Sequence, residues 1–274
     1  MPEGDTIFRA ARTLSRALAG SVVTRFETVL PALARVHADS PLTGRTVERV
    51  WSAGKHLLMQ FSGELVLRTH MRMNGSWHVY RTGERWRRPR RDMRIVIATT
   101  RFEAIAFNVP VAEFLRCGEL NRHPQLGTLG PDLLAATFDA AEALRRIQSH
   151  SEAIIDDVLL NQRAVSGIGN VYKSEVLFLC GINPFVRVGM LDTATLETVL
   201  GTARRLLVTN VKEALPLMTT YGGYRRTTQS HDPSQRLWVY GRGGKPCRRC
   251  GTPISARKHG LHARLTYWCP RCQA

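Results

Sequence analysis

Three groups of residues in this chain have the types and spacing to do chemistry. The first is Met1-Pro2-Glu3 at the start. A residue as small as Pro2 lets an aminopeptidase remove Met1 and expose a secondary amine. A terminal amine titrates near ~8 and a lysine near ~10.4, so at neutral pH a far larger share of the terminal amine is unprotonated. Such an amine attacks the aldehyde carbon of a sugar and forms a Schiff base, and the Glu3 carboxyl beside it can shuttle protons. The second group is Gly54-Lys55-His56, a lysine set where a strand begins, after a glycine that lets backbone approach closely. The third is a pair of CxxC knuckles, Cys247–Cys250 and Cys269–Cys272, separated by eighteen residues. Four thiolates at that spacing close one tetrahedral Zn2+ shell, which is a structural site with no open position. Arg257, Lys258, His259, His262 and Arg264 lie between the knuckles, so the finger reads as a basic β-hairpin facing an anionic backbone.

The whole chain is basic. It has 39 Lys and Arg against 22 Asp and Glu over 274 residues, a net charge of +17. An excess of that size points to a polyanionic partner, most often nucleic acid. With 43% hydrophobic and 22% charged residues the composition is that of a globular protein long enough for two modest domains. No apolar run approaches the ~18 residues of a membrane span, and no apolar signal core opens the chain. The expectation is a cytoplasmic protein with no membrane association. Cys117 and Cys180 stand apart from the knuckles and read as core filler.

The reactive groups need elements to hold them. Asp5 or Thr6 can cap a helix in which Ile7, Ala11, Leu14 and Leu18 share one face before Gly20 ends it. Short β-rich runs follow at Val22–Val29, Thr46–Trp51, His56–Phe61, Leu65–Met71, Ser76–Tyr80, Met93–Thr99 and Phe102–Val109, the pattern of a sandwich or barrel. The turn His70–Gly75 contains Met71 and Met73, which are either core side chains or an apolar wedge for a base stack. Five arginines between Arg85 and Arg91 read as a flexible hairpin loop, either solvated or touching DNA.

Pro124, Gly127, Gly130 and Pro131 mark a linker into a helical half, with helices at Phe138–Ser149, Glu152–Asn161, Asn170–Leu179 and Thr193–Leu215. Gly167 and Gly169 precede Asn170, a setting that bares backbone amides toward a phosphate. Residues 216–237 read as a mobile polar loop. The expected fold class is α+β with two domains: an N-terminal β-sandwich with a flanking helix over 1–120, then a helical domain over 138–237. Residues 121–137 form the linker, and the zinc finger occupies 238–274.

In order and spacing these motifs resemble the formamidopyrimidine-DNA glycosylase and endonuclease VIII family of base-excision repair enzymes. The resemblance rests on Pro2-Glu3-Gly4, Gly54-Lys55, Leu129-Gly130-Pro131-Asp132, the run Gly167–Glu175, Val239-Tyr240-Gly241-Arg242, the paired knuckles and Arg264. Gly167–Glu175 is similar to the family's helix–two-turn–helix. The resemblance implies that Pro2 is the nucleophile at C1′ of the damaged nucleotide and that Glu3 moves protons. Lys55 would contact phosphates and assist catalysis, and Asn170 and Arg264 would grip the phosphates flanking an extruded nucleotide. Met73 matches the family's void-filling loop in position. A bifunctional glycosylase and AP lyase is implied, acting on damaged DNA as a monomer, with one structural zinc ion and no organic cofactor.

Two departures bear on specificity. Asp5 and Thr6 replace the proline and glutamate often found there in the family. The arginine–phenylalanine wedge of the formamidopyrimidine branch is absent from Asn108-Val109-Pro110-Val111-Ala112. The chain therefore looks closer to the endonuclease VIII branch, which implies oxidised pyrimidines as substrates. Two alternatives stand beside this reading: a non-catalytic zinc-containing DNA-binding protein, and an AP lyase without base excision.

Overall fold

The structure, a computed structural model, describes residues 2–212, 225–228, 230, 232–260 and 263–274. Met1, His262, residues 216–224 of the polar segment and the end of the helix expected to reach Leu215 lie outside the described residues. The described residues form two compact units, one up to Thr128 and one from Leu129.

The first unit opens with helix α1 (Gly4–Leu18), whose Ile7, Ala10, Ala11, Leu14 and Leu18 are buried. Its N-cap is Glu3, not Asp5 or Thr6. Both of those residues lie inside the first turn, because the Glu3 carbonyl already accepts from the Thr6 and Ile7 amides at 2.9 and 3.1 Å. Asp5 instead pairs with Arg9 one turn on at 3.0 Å, a negative charge at the positive end of the helix dipole.

Eight strands follow: β1 (Arg25–Thr28), β2 (Val47–Ala53), β3 (His56–Phe61), β4 (Leu65–His70), β5 (Ser76–Arg81), β6 (Met93–Ala98), β7 (Phe102–Phe107) and β8 (Val111–Arg116). They form two antiparallel sheets, ordered β1-β6-β7-β5 and β2-β3-β4-β8. Leu57, Met59, Phe61 and Leu67 from one sheet meet Trp77, Val79, Ile95, Ile97 and Ala106 from the other in a shared core. α1 packs on β2 and β3. The sandwich with its flanking helix is as expected.

Two elements were not legible in the β-rich region. Helix α2 (Pro31–Asp39) starts at a proline suited to its first turn but buries only Leu33, so it carries little periodicity. Strand β8 is half-buried along its length at a sheet edge, which blurs the alternation that marks a strand. The arginine loop is also not the flexible hairpin that its composition suggests. Trp86 packs edge-on to Phe107 at 5.9 Å and donates to Glu103 at 3.2 Å, while the Arg87 amide donates to Tyr80 at 3.1 Å.

The second unit holds α3 (Ala140–Gln148), α4 (Ile155–Leu160), α5 (Asn170–Leu179), α6 (Thr193–Lys212) and a finger hairpin of β9 (Ser255–His259) and β10 (Arg264–Trp268). α5 is buried over nine of its ten residues. Two ionic anchors tie it to the finger segment. Lys173 Nζ pairs with Asp156 at 2.9 Å and donates to Thr266 on β10 at 2.8 Å, all three side chains being buried. Glu175 accepts from three successive amides, Trp238, Val239 and Tyr240, at 2.8–2.9 Å and from the Thr227 hydroxyl. Burial raises the Glu175 pKa, and those donors act in the opposite direction.

Candidate active site

Pro2 and Glu3 stand directly ahead of α1 and are buried. Pro2 precedes the N-cap Glu3, whose carbonyl accepts the first helical hydrogen bonds of α1. α1 is clamped on β2 and β3, and the turn joining those two strands carries Lys55. Ala53 pairs with His56, so Gly54-Lys55 is a two-residue turn, and its first position takes φ 55 as glycine-first hairpin turns require. Pro2, Glu3 and Lys55 thus all lie in the first unit, at the start of α1 and in the turn between the two strands on which α1 packs.

The turn between β4 and β5 separates its two methionines. Met71 is buried, whereas Met73 is 53% exposed. Gly75 ends the turn with its α-carbon so near Met71 that a Cβ would lie 2.5 Å from the Met71 carbonyl oxygen. His56 and His70 are paired in register, so the Lys55 turn and the Met73 turn leave the sheet at the same end. Their rings meet edge to face at 4.9 Å. Burial, reinforced by Arg72, Lys55 and Arg68, lowers the His70 pKa to about 4, and burial with Arg68 lowers His56 to about 2. Both rings are therefore neutral at physiological pH.

In the second unit Asn170 is the first residue of α5 and only 6% exposed. Its Nδ2 donates to the Leu265 carbonyl at 2.8 Å. Leu265 follows Arg264, the first residue of β10. Asn170 is thus held to the residue that follows Arg264 in β10. The segment leading into α5 is laced by Gln162, whose Nε2 donates to the Leu160 and Ile168 carbonyls and whose Oε1 accepts from the Gly167 amide at 3.1 Å. Gln162, Lys173 and Glu175 escaped the sequence reading as site-building residues because their partners lie in other elements.

The four finger cysteines converge, their sulfurs all within 4.8 Å of one another. The separations of 3.5 Å (Cys250–Cys269 and Cys250–Cys272) and 3.9 Å (Cys247–Cys272) suit a tetrahedron with Zn–S bonds of ~2.3 Å, whose edges are ~3.8 Å. Burial and hydrogen bonds with the neighbouring sulfurs push the Cys272 thiol up to about 12, while hydrogen bonds, first to Thr252, draw the Cys250 thiol down to about 6. The donor set fits one structural zinc ion, which when bound would fix the finger hairpin and supply no reaction step.

The sandwich led by a proline–glutamate pair, the helical unit with its glycine-laced helix entry, and the four-cysteine hairpin each match a known family model. Residues 1–110 match the formamidopyrimidine-DNA glycosylase N-terminal domain. Residues 129–219 match its H2TH domain, and 244–274 match the zinc finger found in FPG and IleRS. A Streptomyces coelicolor protein named probable endonuclease 8 2 is 41% identical, covering 100% of this chain and 94% of the relative. The Mycolicibacterium smegmatis protein named DNA-(apurinic or apyrimidinic site) lyase Nei2 is 36% identical, over 100% and 99%. The Lactococcus lactis Fpg in complex with abasic-site DNA superposes with a TM-score of 0.83 at 22% identity, over 100% of both chains. The chain belongs to the formamidopyrimidine-DNA glycosylase and endonuclease VIII family, and is a DNA-binding enzyme of base-excision repair. Among the described residues no helix is long and apolar enough to cross a membrane.

Proposed function

We propose that this enzyme excises oxidised pyrimidines and then cuts the strand, using the Pro2 amine as nucleophile. The placement of Pro2 and Glu3 ahead of a helix clamped on the strands that carry Lys55 is the observation that supports this most. The Pro2 nitrogen attacks C1′ while the bond from C1′ to the base breaks, and Glu3 delivers a proton to the sugar ring oxygen. Ring opening leaves an iminium between Pro2 and C1′. Loss of a C2′ proton expels the 3′ phosphate, a second elimination expels the 5′ phosphate, and water releases the sugar fragment from Pro2. Lys55, Asn170 and Arg264 hold phosphates during this sequence. The protein acts as a monomer on nucleoid DNA in the cytoplasm. The pyrimidine preference is supported by the endonuclease 8 names of its relatives and by the missing arginine–phenylalanine pair at 108–112.

Glu3→Gln separates the two stages. Expelling an intact base needs acid at the sugar, so excision is expected to fall by ~100-fold or more. Cleavage at a pre-formed abasic site, which already has an open aldehyde, is expected to be better retained. Equal loss on both substrates would refute this role for Glu3. A second reading, an AP lyase without base excision, is favoured by the lyase name of one relative. Activity on abasic DNA with none on a duplex containing an intact oxidised pyrimidine would select it.

Two DNA contacts have their own tests. Arg264→Ala removes one phosphate contact and should flatten the slope of log affinity against log salt by about 0.9, with zinc retained. An unchanged slope argues against the contact. Met73 is taken as the wedge that fills the stack vacated by the extruded nucleotide. Its exposure predicts that Met73→Ala leaves thermal stability nearly unchanged, lowers excision from paired duplex and spares bubble substrates. A stability loss with uniform decline on all substrates would mark it as core.

A further inference from the structure

Strand β4 holds a cation that the reaction proposed above does not use. Its residues alternate between two covered faces. Leu67 packs in the sandwich core, whereas Arg68 points the other way, toward a cavity it lines with Glu113, His123 and Gln125. Arg68 is 2% exposed, and a buried guanidinium is costly unless acceptors surround it. It donates to Glu113 Oε1 on β8 and to Gln125 Oε1, and its Nε and Nη2 converge on His56 Nδ1 at 3.3 and 3.1 Å. The Gln125 segment is itself fixed, because the Gln125 and Leu126 amides donate to His123 Nδ1 and His123 Nε2 donates to Glu113 at 3.1 Å. A guanidinium can only donate, so His56 Nδ1 is an acceptor and the ring hydrogen sits on Nε2. His56 directly follows Lys55, and its ring meets that of His70, its partner in register, edge to face at 4.9 Å. His70 Nδ1 in turn accepts the Arg72 amide at 3.0 Å. Arg72 begins the Met73 turn at φ 50, a left-handed conformation that a non-glycine residue keeps only with support from its surroundings. One buried side chain thus stands behind both turns at this end of the sheet.

We propose that Arg68 is a positioning residue for the reaction: it locks the His56 ring and, through His56 and His70, holds the Lys55 turn and the Met73 turn in one fixed relation. The inference rests on the role given to Lys55 above. A lysine assists at a phosphate only if its stem leaves the turn in the productive direction, and a displacement of ~1 Å can cost on the order of 100-fold in rate. A leucine at position 68 would suit the apolar run Leu65–Leu67 but would deprive His56, Glu113 and Gln125 of this donor. Protonation of His56 would also break the arrangement, by turning an N–H toward the guanidinium. The surroundings oppose it. Burial first, and then Arg68, lower the His56 pKa to about 2, while burial, Arg72, Lys55 and Arg68 lower His70 to about 4. The cations around the two rings are Lys55, Arg68 and Arg72, and the nearby carboxylate, Glu113, is engaged by Arg68 and His123.

The test is single-turnover strand cleavage at a pre-formed abasic site, with affinity measured on DNA holding a non-cleavable abasic analogue. Arg68→Lys, which keeps the charge and loses the fork, and Arg68→Gln should each lower the rate constant by about ten-fold or more and leave affinity nearly unchanged. With enzyme in excess, partial unfolding lowers the amplitude of the reaction and not its rate constant. His56→Phe should cause a similar fall, and adding Arg68→Gln to it should cost little more, since residues that act through one another are not additive. Nitrogen-15 NMR of the labelled histidines should show the wild-type His56 hydrogen on Nε2. In Arg68→Gln a cation that opposes protonation is gone, so the His56 pKa should move upward. An unchanged rate constant in both Arg68 variants, with or without a loss of amplitude or thermal stability, overturns the proposal and leaves Arg68 a structural residue. So does a fully multiplicative loss in the double variant, which would separate Arg68 from His56. Wild-type cleavage by Lys55→Ala would instead refute the role of Lys55, and with it the reason for holding its turn. If the wild type cleaves abasic DNA but excises no oxidised pyrimidine, the glycosylase reading has failed, and the Arg68 comparison still decides this inference.

Discussion

A protein carrying one or more residues ahead of Pro2 is expected to bind damaged DNA and neither excise a base nor form a borohydride-stable adduct. The added residue turns the Pro2 nitrogen into a tertiary amide, which has no nucleophilic lone pair and no proton to exchange. Nothing else in the site changes, since the helix cap uses the Glu3 carbonyl and Lys55 is fixed by its own turn. Binding should persist because the net charge of +17 resides elsewhere. The check is a paired assay of retention on lesion DNA and single-turnover excision, with the N-terminus verified by mass. Full excision by the extended protein would remove Pro2 from the mechanism.

The second large effect is expected in the finger. Structural zinc contributes on the order of 10 kcal/mol to the folding of so small a module. Cys269→Ser leaves three thiolates, so the ion should be lost and residues 247–272 should lose their fold. The consequence reaches α5, because Lys173 is buried against Thr266 and Asn170 is held by the Leu265 carbonyl. Without β10 the buried Lys173 ammonium loses the Thr266 hydroxyl it donates to, and leaving a buried charged donor short of an acceptor is costly. DNA affinity and thermal stability should therefore fall together, whereas Arg264→Ala should lower affinity alone. Elemental analysis of the native protein checks the premise, and an absence of zinc would overturn it.

What could be read in the sequence was what local chemistry encodes. The knuckles, the glycine before Lys55 and the α5 start at Asn170 each depend on neighbours within a few residues, and each lies where expected. The cap of α1 was misread because Asp5 is a better capping type than Glu3, and the helix starts earlier to bury Asp5 against Arg9. The network around Arg68 was invisible for a different reason. Its partners Glu113 and Gln125 lie 45 and 57 residues away and meet only through the pairing of β4 with β8. Lys173 lies within a recognisable motif, but its role needs Thr266, 93 residues on. A strand such as β8, half-buried throughout, hides the wall of a cavity in a sequence that reads as ordinary loop.

The chemistry turns on one covalent bond, and one measurement addresses it directly. The enzyme with its processed N-terminus is incubated with a duplex containing an oxidised pyrimidine in the presence of borohydride, digested, and the DNA-linked peptide is sequenced by mass spectrometry. The account predicts a reduced adduct on the peptide that begins with Pro2, with the sugar carbon on the proline nitrogen. An adduct on Lys55 or any other lysine, with Pro2 unmodified, would contradict it.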